Sequence, residues 1–539
     1  GDSNTAIGYA AGANLTANVG NIAIGKNALT TANADENYNI AIGFDAMTSV
    51  DVNGADDNIA IGKAALEGGD GTGNNNIVIG NDAGDHTDAE FSGVVAIGEN
   101  VMQGVVTTGA DNTIAIGSEV LKALTTGAAN TAVGYASGVA ITTGGYNTAV
   151  GYQSLDATDD GLRNTALGYQ ALSANCDDDN TALGNDSLLV FTGADCTAVG
   201  SFALDSLVTG DGNTAVGYGA MATADAGEAQ NTVMGYSVGG SINNGDSDEN
   251  VLIGALCGTG GTGALIGCVA LGKSAFASTG SNAQTGTIAI GHSALNALTS
   301  GAYNTAIGYQ AGLLMQDCQG NTLLGYETFK AADSGEANNV VIGLAAGSAI
   351  NSNGSDSNVI IGASAGIGGA AAMASCVAIG TNAMTSTAAN TQTGTVAIGN
   401  NVLTALTTGA SNTAIGYLAA TDITTGSGNT VVGYGAMDGT MGTNSEDSSA
   451  NTTIGSNAMG GTWANQQLDD CVCVGQGAMA GALDNCDGTV AVGKAALAAL
   501  TSGANNVAIG YQALLVVETG GYNTAVGNTA LDACTGVEN

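Results

Sequence analysis

Positive charge is scarce in this chain. Its 539 residues include seven Lys and Arg, with Arg163 the sole arginine, against 47 Asp and Glu, for a formal net charge of −40. Nucleic-acid binding rests on a cationic footprint, and so does attraction to an anionic membrane surface, so both are excluded. Proline is absent and aromatics are 4%. That is too few rings for a large globular core, though enough, with Ile, Val, Leu and Ala, for a thin one. No apolar run is long enough to cross a bilayer, which excludes a transmembrane helix. There is no starting Met and no signal peptide, so the sequence is expected to be a processed or partial product. None of the ten cysteines forms C-x-x-C, which argues against a structural zinc site.

Glycine is plentiful, at 87 residues, and its spacing organises the chain. The hexapeptide Asn147-Thr148-Ala149-Val150-Gly151-Tyr152 returns in varied form from Gly8 to Gly527. Successive glycines stand as close as Gly168 and Gly184 and as far apart as Gly433 and Gly455. The 30 copies have a mean period of (527 − 8)/29, about 18 residues, which is the signature of a solenoid. Positions are indexed below on this glycine.

Slot −3 is always β-branched (Thr5, Ile22, Val95, Thr148, Val490), slot −2 is Ala in 21 copies, and slot −1 is apolar. Stiff, branched side chains in this run predict a strand ending at the glycine, where the backbone needs positive φ or a tight corner. Alternation puts slots −3 and −1 on one face and slot −2 on the other. The expectation is that the bulky −3/−1 face forms the core. The Ala face would then meet a neighbouring protomer. A second apolar pair at +3/+4, as in Ala171-Leu172 and Ala513-Leu514, reads as a second strand or side, and Ala495 to Leu500 as at most a helical turn.

Slot −4 is Asn in 21 copies. Stacked coils would align Asn130, Asn147, Asn164, Asn304 and Asn321 into an amide ladder, or Asn simply favours the turn before the strand. Gly134, Gly151, Gly168, Gly308 and Gly325 form the corresponding file of corners. Tyr135, Tyr152 and Tyr169 follow their glycines and would stack as an aromatic ladder, with a glycan-binding stripe as the alternative.

The fold expected is all-β: a β-solenoid (parallel β-helix or β-roll) of about 30 coils, each about 18 residues long. It forms one elongated repeat domain over 1–539, looser over 434–475, where a bulged-out loop would carry Trp463. With strands about 4.8 Å apart, the rod would be roughly 140 Å long. Neither end shows a cap, and joining Asn539 to Gly1 would place Gly8 after Gly527 at a spacing inside the observed range. A fragment of a longer rod, or units that stack head to tail into a filament, is therefore expected. Thr returns at slot −4 as Thr113, Thr287, Thr395 and Thr489, and the six coils from Gly291 to Gly399 suggest duplication of blocks of about six coils. The coil before the last three threonines carries Cys268, Cys376 or Cys471 in the same slot.

Candidate chemistry is thin. Gly258-Thr259-Gly260-Gly261-Thr262-Gly263 matches the dinucleotide fingerprint but has no following helix. Gly362-Ala363-Ser364-Ala365-Gly366 matches a nucleophile elbow, yet Gly343-Leu344-Ala345-Ala346-Gly347 occupies the same slots. His86 and His292 are variants of ordinary loop positions. A lyase or hydrolase on a parallel β-helix would want basic residues among its acids, and those are nearly missing. No cofactor is expected. Acidic turns such as Asp56-Asp57, Asp159-Asp160 and Asp177 to Asp179 read as a solvated surface, with Ca²⁺ binding as the alternative. The cysteines read as buried free thiols or as local disulfides: Cys176 with Cys196, Cys257 with Cys268, and Cys471 or Cys473 with Cys486. Asn14, Asn185, Asn353 and Asn451 lie in N-x-S/T sequons.

Asn147-Thr148-Ala149-Val150-Gly151-Tyr152-Gln153-Ser154-Leu155 and Asn304 to Gly312 resemble the NTAxGYxAL repeats of phage tail-fibre shafts and bacterial surface proteins. Asn21 to Gly25 and Cys376 to Gly380 are similar to the xVAIG repeats of trimeric autotransporter adhesin heads, which have a shorter period. The resemblance spans essentially the whole chain. It implies an extracellular fibre on a cell or virion surface, often a homotrimer, with specificity in end domains. The function expected is a non-enzymatic structural rod, a fibre shaft or a filament subunit that associates with itself. The alternatives are an adhesin binding a glycan or cell-surface receptor, and an ice-binding solenoid. Ice binding is weighed down by Ile and Val interrupting the slot −3 threonines and by the expectation that those threonines point inward.

Overall fold

A computed structural model describes residues 2–31, 36–49, 54–68, 73–85, 91–104, 109–225, 227–369, 371–386, 391–439, 447–463 and 467–533. His86, Cys534, the tail 534–539 and parts of the 434–475 region lie outside them. The chain forms two compact units, Gly1–Gly267 and Cys268–Asn539. Each is an all-β, parallel β-solenoid whose turns follow the glycine period of the sequence. Among the described residues there is no α-helix.

Every repeat strand comes from the same three slots. Fifteen such strands lie in the first unit, from Thr5–Ile7 to Val251–Ile253, and fifteen in the second, from Val269–Leu271 to Thr524–Val526. Consecutive strands pair in parallel with matched slots: Thr131↔Thr148 and Thr148↔Thr165 in the first unit, Thr305↔Thr322 in the second. At the usual strand spacing each unit stacks to roughly 70 Å.

The inside and outside of the strand are the reverse of the sequence expectation. Slot −2 is the buried one: Ala132, Ala149, Ala166 and Ala306 are at most 1% exposed, whereas slots −3 and −1 face outward. The coil is thin, and its opposite wall lies close to the strand. Nine coils carry a residue other than Ala at slot −2; Leu323, Val431, Thr453 and Cys473 share the core with Phe329, Met437, Met459 and Met479 at slot +4, and the other five make room another way. Val78, Val233, Leu252, Val341 and Ile360 enlarge slot −2, and in each of those coils slot +4 is glycine: Gly84, Gly239, Gly258, Gly347 and Gly366. A Cβ on any of these glycines would lie 2.6–3.3 Å from the enlarged side chain. The Ala face therefore belongs to the core, and no second protomer can lie on it.

The +3/+4 pair forms no strand. Gln153 (φ 50°) and Leu155 (φ 53°) are left-handed, and the pattern recurs at Gln170 and Leu172. Positive φ at every second residue breaks the pleat, and at Ala495 and Leu497 it rules out a right-handed helical turn. The segment is joined from coil to coil by bonds such as Gln153 N–H to the Tyr135 carbonyl (2.9 Å) and Leu155 N–H to the Ala171 carbonyl (3.0 Å). Leu155, Leu172 and Phe191 fill the core of the first unit, and Phe276 and Phe329 that of the second. Trp463 is buried as well, its indole N–H donating to the Met459 carbonyl at 3.2 Å, so it does not sit in a bulged-out loop. Around it, strands Thr430–Val432, Thr452–Ile454 and Val472–Val474 keep full register.

Candidate functional site

The Asn file forms a ladder, and its bonds run further than side chain to side chain. Asn130 Oδ1 accepts the backbone N–H of Asn147 (3.0 Å), and Asn147 Oδ1 accepts that of Asn164 (2.8 Å). The amide nitrogens donate to turn carbonyls one coil on: Asn130 to Gly144 (2.9 Å), Asn147 to Gly161 (2.8 Å) and Asn304 to Cys318 (2.7 Å). Direct amide-to-amide bonds occur too, as from Asn321 Nδ2 to Asn304 Oδ1 at 3.1 Å. These side chains are at most 1% exposed, so each bond satisfies groups that water cannot reach. Asn451 belongs to the same buried file, so its sequon is closed to glycosylation in the folded chain.

A second ladder, at slot −6, escaped the sequence reading. Here the side chain of the later coil accepts the backbone N–H of the earlier one. Asp56 Oδ1 takes the Asn37 N–H (2.6 Å), Asp111 that of Ser92 (2.7 Å), Asp178 that of Leu162 (2.9 Å) and Asp356 that of Ala337 (2.7 Å). Part of the acidity is therefore structural, and a recurring Asp, Asn or Ser at −6 was its signal. Arg163 bridges Asp178 (3.0 Å) and Asp179 (2.6 Å), and the guanidinium holds the Asp179 carboxyl below its ordinary range. Among the described residues, no group of three or more His, Cys, Asp or Glu is placed to share a metal ion. Carboxylate clusters thus lend the Ca²⁺ reading no support.

All nine described cysteines are free and buried. Neither Cys176 with Cys196, nor Cys257 with Cys268, nor Cys471 or Cys473 with Cys486 is bridged, so the disulfide alternative gives way to free thiols. The sulfurs sit in different slots and turn to different partners. Cys176 lies 3.2 Å from the Thr158 hydroxyl, Cys196 Sγ donates to the Gly210 carbonyl, Cys471 Sγ to the Cys486 carbonyl and Cys473 Sγ to Met479 Sδ. Burial pushes the thiols of Cys176, Cys196 and Cys486 up to about 11 and those of Cys257 and Cys471 up to about 12. They are protonated at neutral pH, and therefore poor nucleophiles and poor metal ligands.

Cysteine also interrupts the Asn ladder. Cys376 N–H still donates to Asn358 Oδ1 (2.9 Å), but its sulfur offers the Thr395 N–H of the next coil only a weak acceptor in place of an amide oxygen, and the buried Thr395 hydroxyl has no protein partner. Thr113, Thr287 and Thr489 repeat this after Val94, Cys268 and Cys471. The Thr that recurs at slot −4 thus marks the ladder breaks. Mending one, with Cys376→Asn and Thr395→Asn together, is expected to raise stability by about 2 kcal/mol, at roughly 1 kcal/mol per restored buried bond. Calorimetric melting reads this out; an unchanged or lower Tm would mean that these two coils cannot seat the amide.

The exposed surfaces complete the inventory. Tyr135, Tyr152 and Tyr169 stack with centroids 5.3 Å apart, as do His292 and Tyr309. Inner rings of such a file have both faces covered by neighbours, which leaves edges rather than faces for a sugar. Beside Phe202 and Tyr218, an open groove of about 390 Å³ is also lined by Ser237, Leu256 and Thr259. Ser364 occupies the left-handed +2 slot of an ordinary coil (φ 54°), as Gln153 does, and no histidine shares that coil. The turn after Gly258 leads into a strand, Leu265–Ile266, and not into a helix. No described helix is long and apolar enough to cross a membrane.

The outward strand face is a further uniform surface. None of the repeat strands carries a charged side chain. From Thr131–Val133 to Thr232–Met234, seven consecutive strands present Thr at −3 and Val, Leu or Met at −1. No protein-family model matches the chain, and no curated protein matches it significantly.

Proposed function

We propose that the chain is a non-enzymatic structural element, a β-solenoid shaft that works as part of an extracellular fibre or as a filament subunit. One observation carries this reading: the glycine corners and the two polar ladders, the Asn ladder with a few breaks, join coil to coil and recur along each unit. Among the described residues no group of three or more His, Cys, Asp or Glu is placed to share a metal ion, and the imidazole of His292, 3.0 Å from the Ser293 hydroxyl, is stacked on Tyr309 as part of the ring file. A strongly negative, repeating surface suits a body that stays extended and dispersed. The resemblance to fibre-shaft repeats points the same way and favours a cell or virion surface.

Negative-stain electron microscopy with analytical ultracentrifugation tests the proposal. Slender particles of uniform width, with a frictional ratio well above that of a sphere, are expected, lengthening with concentration if units join end to end. Compact particles sedimenting as spheres would overturn it.

A further inference from the structure

We propose that the outward strand face spanning Thr131 to Met234 binds ice. This goes beyond the shaft reading and is independent of it. The face has four properties that together select the partner.

The first is neutrality. In a chain of net charge −40, these seven strands expose no carboxylate and no cation. A cationic partner would find nothing to pair with here. A second copy would bring another strongly acidic surface alongside, and seven Lys and Arg in all cannot neutralise it. A neutral partner carries no such penalty.

The second is two-dimensional regularity. Thr131, Thr148, Thr165, Thr181, Thr197, Thr214 and Thr232 are mutual partners in consecutive parallel pairings without a slip. Parallel strands set the step from one Thr to the next at about 4.8 Å, and two residues of strand rise set the step from slot −3 to slot −1 at about 6.6 Å. Oxygen atoms on the prism face of ice repeat at a spacing similar to the step along the Thr row, with the apolar row running parallel beside it, and a liquid or a flexible polymer offers no such row.

The third is the chemistry of the two files. The seven Thr hydroxyls make no hydrogen bond within the protein among the described residues, so they can bond to lattice water. The neighbouring file of Val133, Val150, Leu167, Leu183, Val199, Val216 and Met234 is partly exposed, Leu167 at 41% and Met234 at 46%. Apolar groups beside hydroxyls favour ordered water over them, since they cannot hydrogen-bond to it.

The fourth is rigidity. Thr is stiff at χ1, and the backbone beneath it is held on both sides by bonds such as Thr148 N–H to the Asn164 carbonyl and Gly151 N–H to the Val133 carbonyl, both 2.8 Å. Little ordering entropy is lost when the face meets a solid. A crystalline polysaccharide is also neutral and periodic, but it is commonly gripped by the flat faces of aromatic rings, and in the Tyr135–Tyr152–Tyr169 file those faces stack on one another.

The full chain, fluorescently labelled, is to be tested for uptake into a growing ice hemisphere, thermal hysteresis and inhibition of recrystallisation. All three are expected in the wild type. Thr181→Lys and Thr181→Tyr, at the middle of the file, are each expected to abolish them, while Asp160→Lys in a turn leaves them intact; circular dichroism establishes that each variant is folded. Wild-type protein excluded from ice and without hysteresis would overturn the proposal, whatever the variants do. So would a wild-type dimer that Thr181→Lys dissociates without any activity on ice, since the face would then be a self-interface. Retention on cellulose or chitin but not on ice would overturn it likewise. None of these outcomes bears on whether the particles are slender, so the shaft reading stands or falls separately.

Discussion

Gly151→Ala is expected to destabilise the first unit by more than about 4 kcal/mol, in the range reserved for defects that the surrounding structure cannot absorb. Two costs combine. Gly151 has φ +142°, a conformation L side chains rarely adopt, and strain there is of order 1–3 kcal/mol. The added methyl would also point along the stack, well inside contact distance of the Gly168 carbonyl oxygen. That oxygen is backbone, so no rotamer change relieves the overlap and the coils must separate. Separation would break the flanking bonds that hold strand Thr148–Val150 to Thr165–Leu167. Chemical denaturation should show a much lower midpoint, and hydrogen exchange should show lost protection centred on 148–168. Tyr152→Ala, one residue on, removes a half-exposed ring and serves as the control with a small effect. Equal stabilities for the two variants would show that the glycine file is not what sets the coil spacing.

Much of this architecture is written openly in the residues. The recurrence of Asn-Thr-Ala-Val-Gly located each repeat strand of both units, and the Asn at −4 announced a ladder that the structure contains. The faces were harder to read. Alternation along Thr148-Ala149-Val150 defines two sides but not which is inside, and the habit of placing the larger residues inward fails when the coil is thin and its bulk comes from the +4 side. The correcting signal was present: Val78 with Gly84 and Ile360 with Gly366 trade volume across the core, which makes sense only if slot −2 points in. The +3/+4 segment carried no comparable signal. Leu155 and Leu172 are left-handed, a state that nothing in a leucine foretells; it is imposed by the coil-to-coil bonds on either side. The outward surface was misjudged for the same reason as the core. With slot −3 turned outward, the Thr file from Thr131 to Thr232 becomes a surface, and the objection that its hydroxyls point inward disappears.

Asn147→Ala tests the ladder as Gly151→Ala tests the corner, and its effect is expected to be smaller but still large, about 3 kcal/mol, since each buried group left without a partner costs about 1–3 kcal/mol. The truncated side chain withdraws the acceptor of the Asn164 N–H and the donor to the Gly161 carbonyl. The natural breaks limit how far this damage spreads. Thr395 and Thr489 already sit where the ladder stops, yet Val396–Ile398 and Val490–Val492 pair in register with the strands on both sides. A missing rung therefore weakens its own step without unzipping the stack, as nearest-neighbour coupling in a repeat protein requires. Hydrogen exchange of Asn147→Ala should accordingly speed up at Asn164 and its immediate neighbours and stay near wild type at Thr214 and beyond. Faster exchange spread evenly over the unit would contradict nearest-neighbour coupling, and with it the picture of each coil as held by the two that flank it.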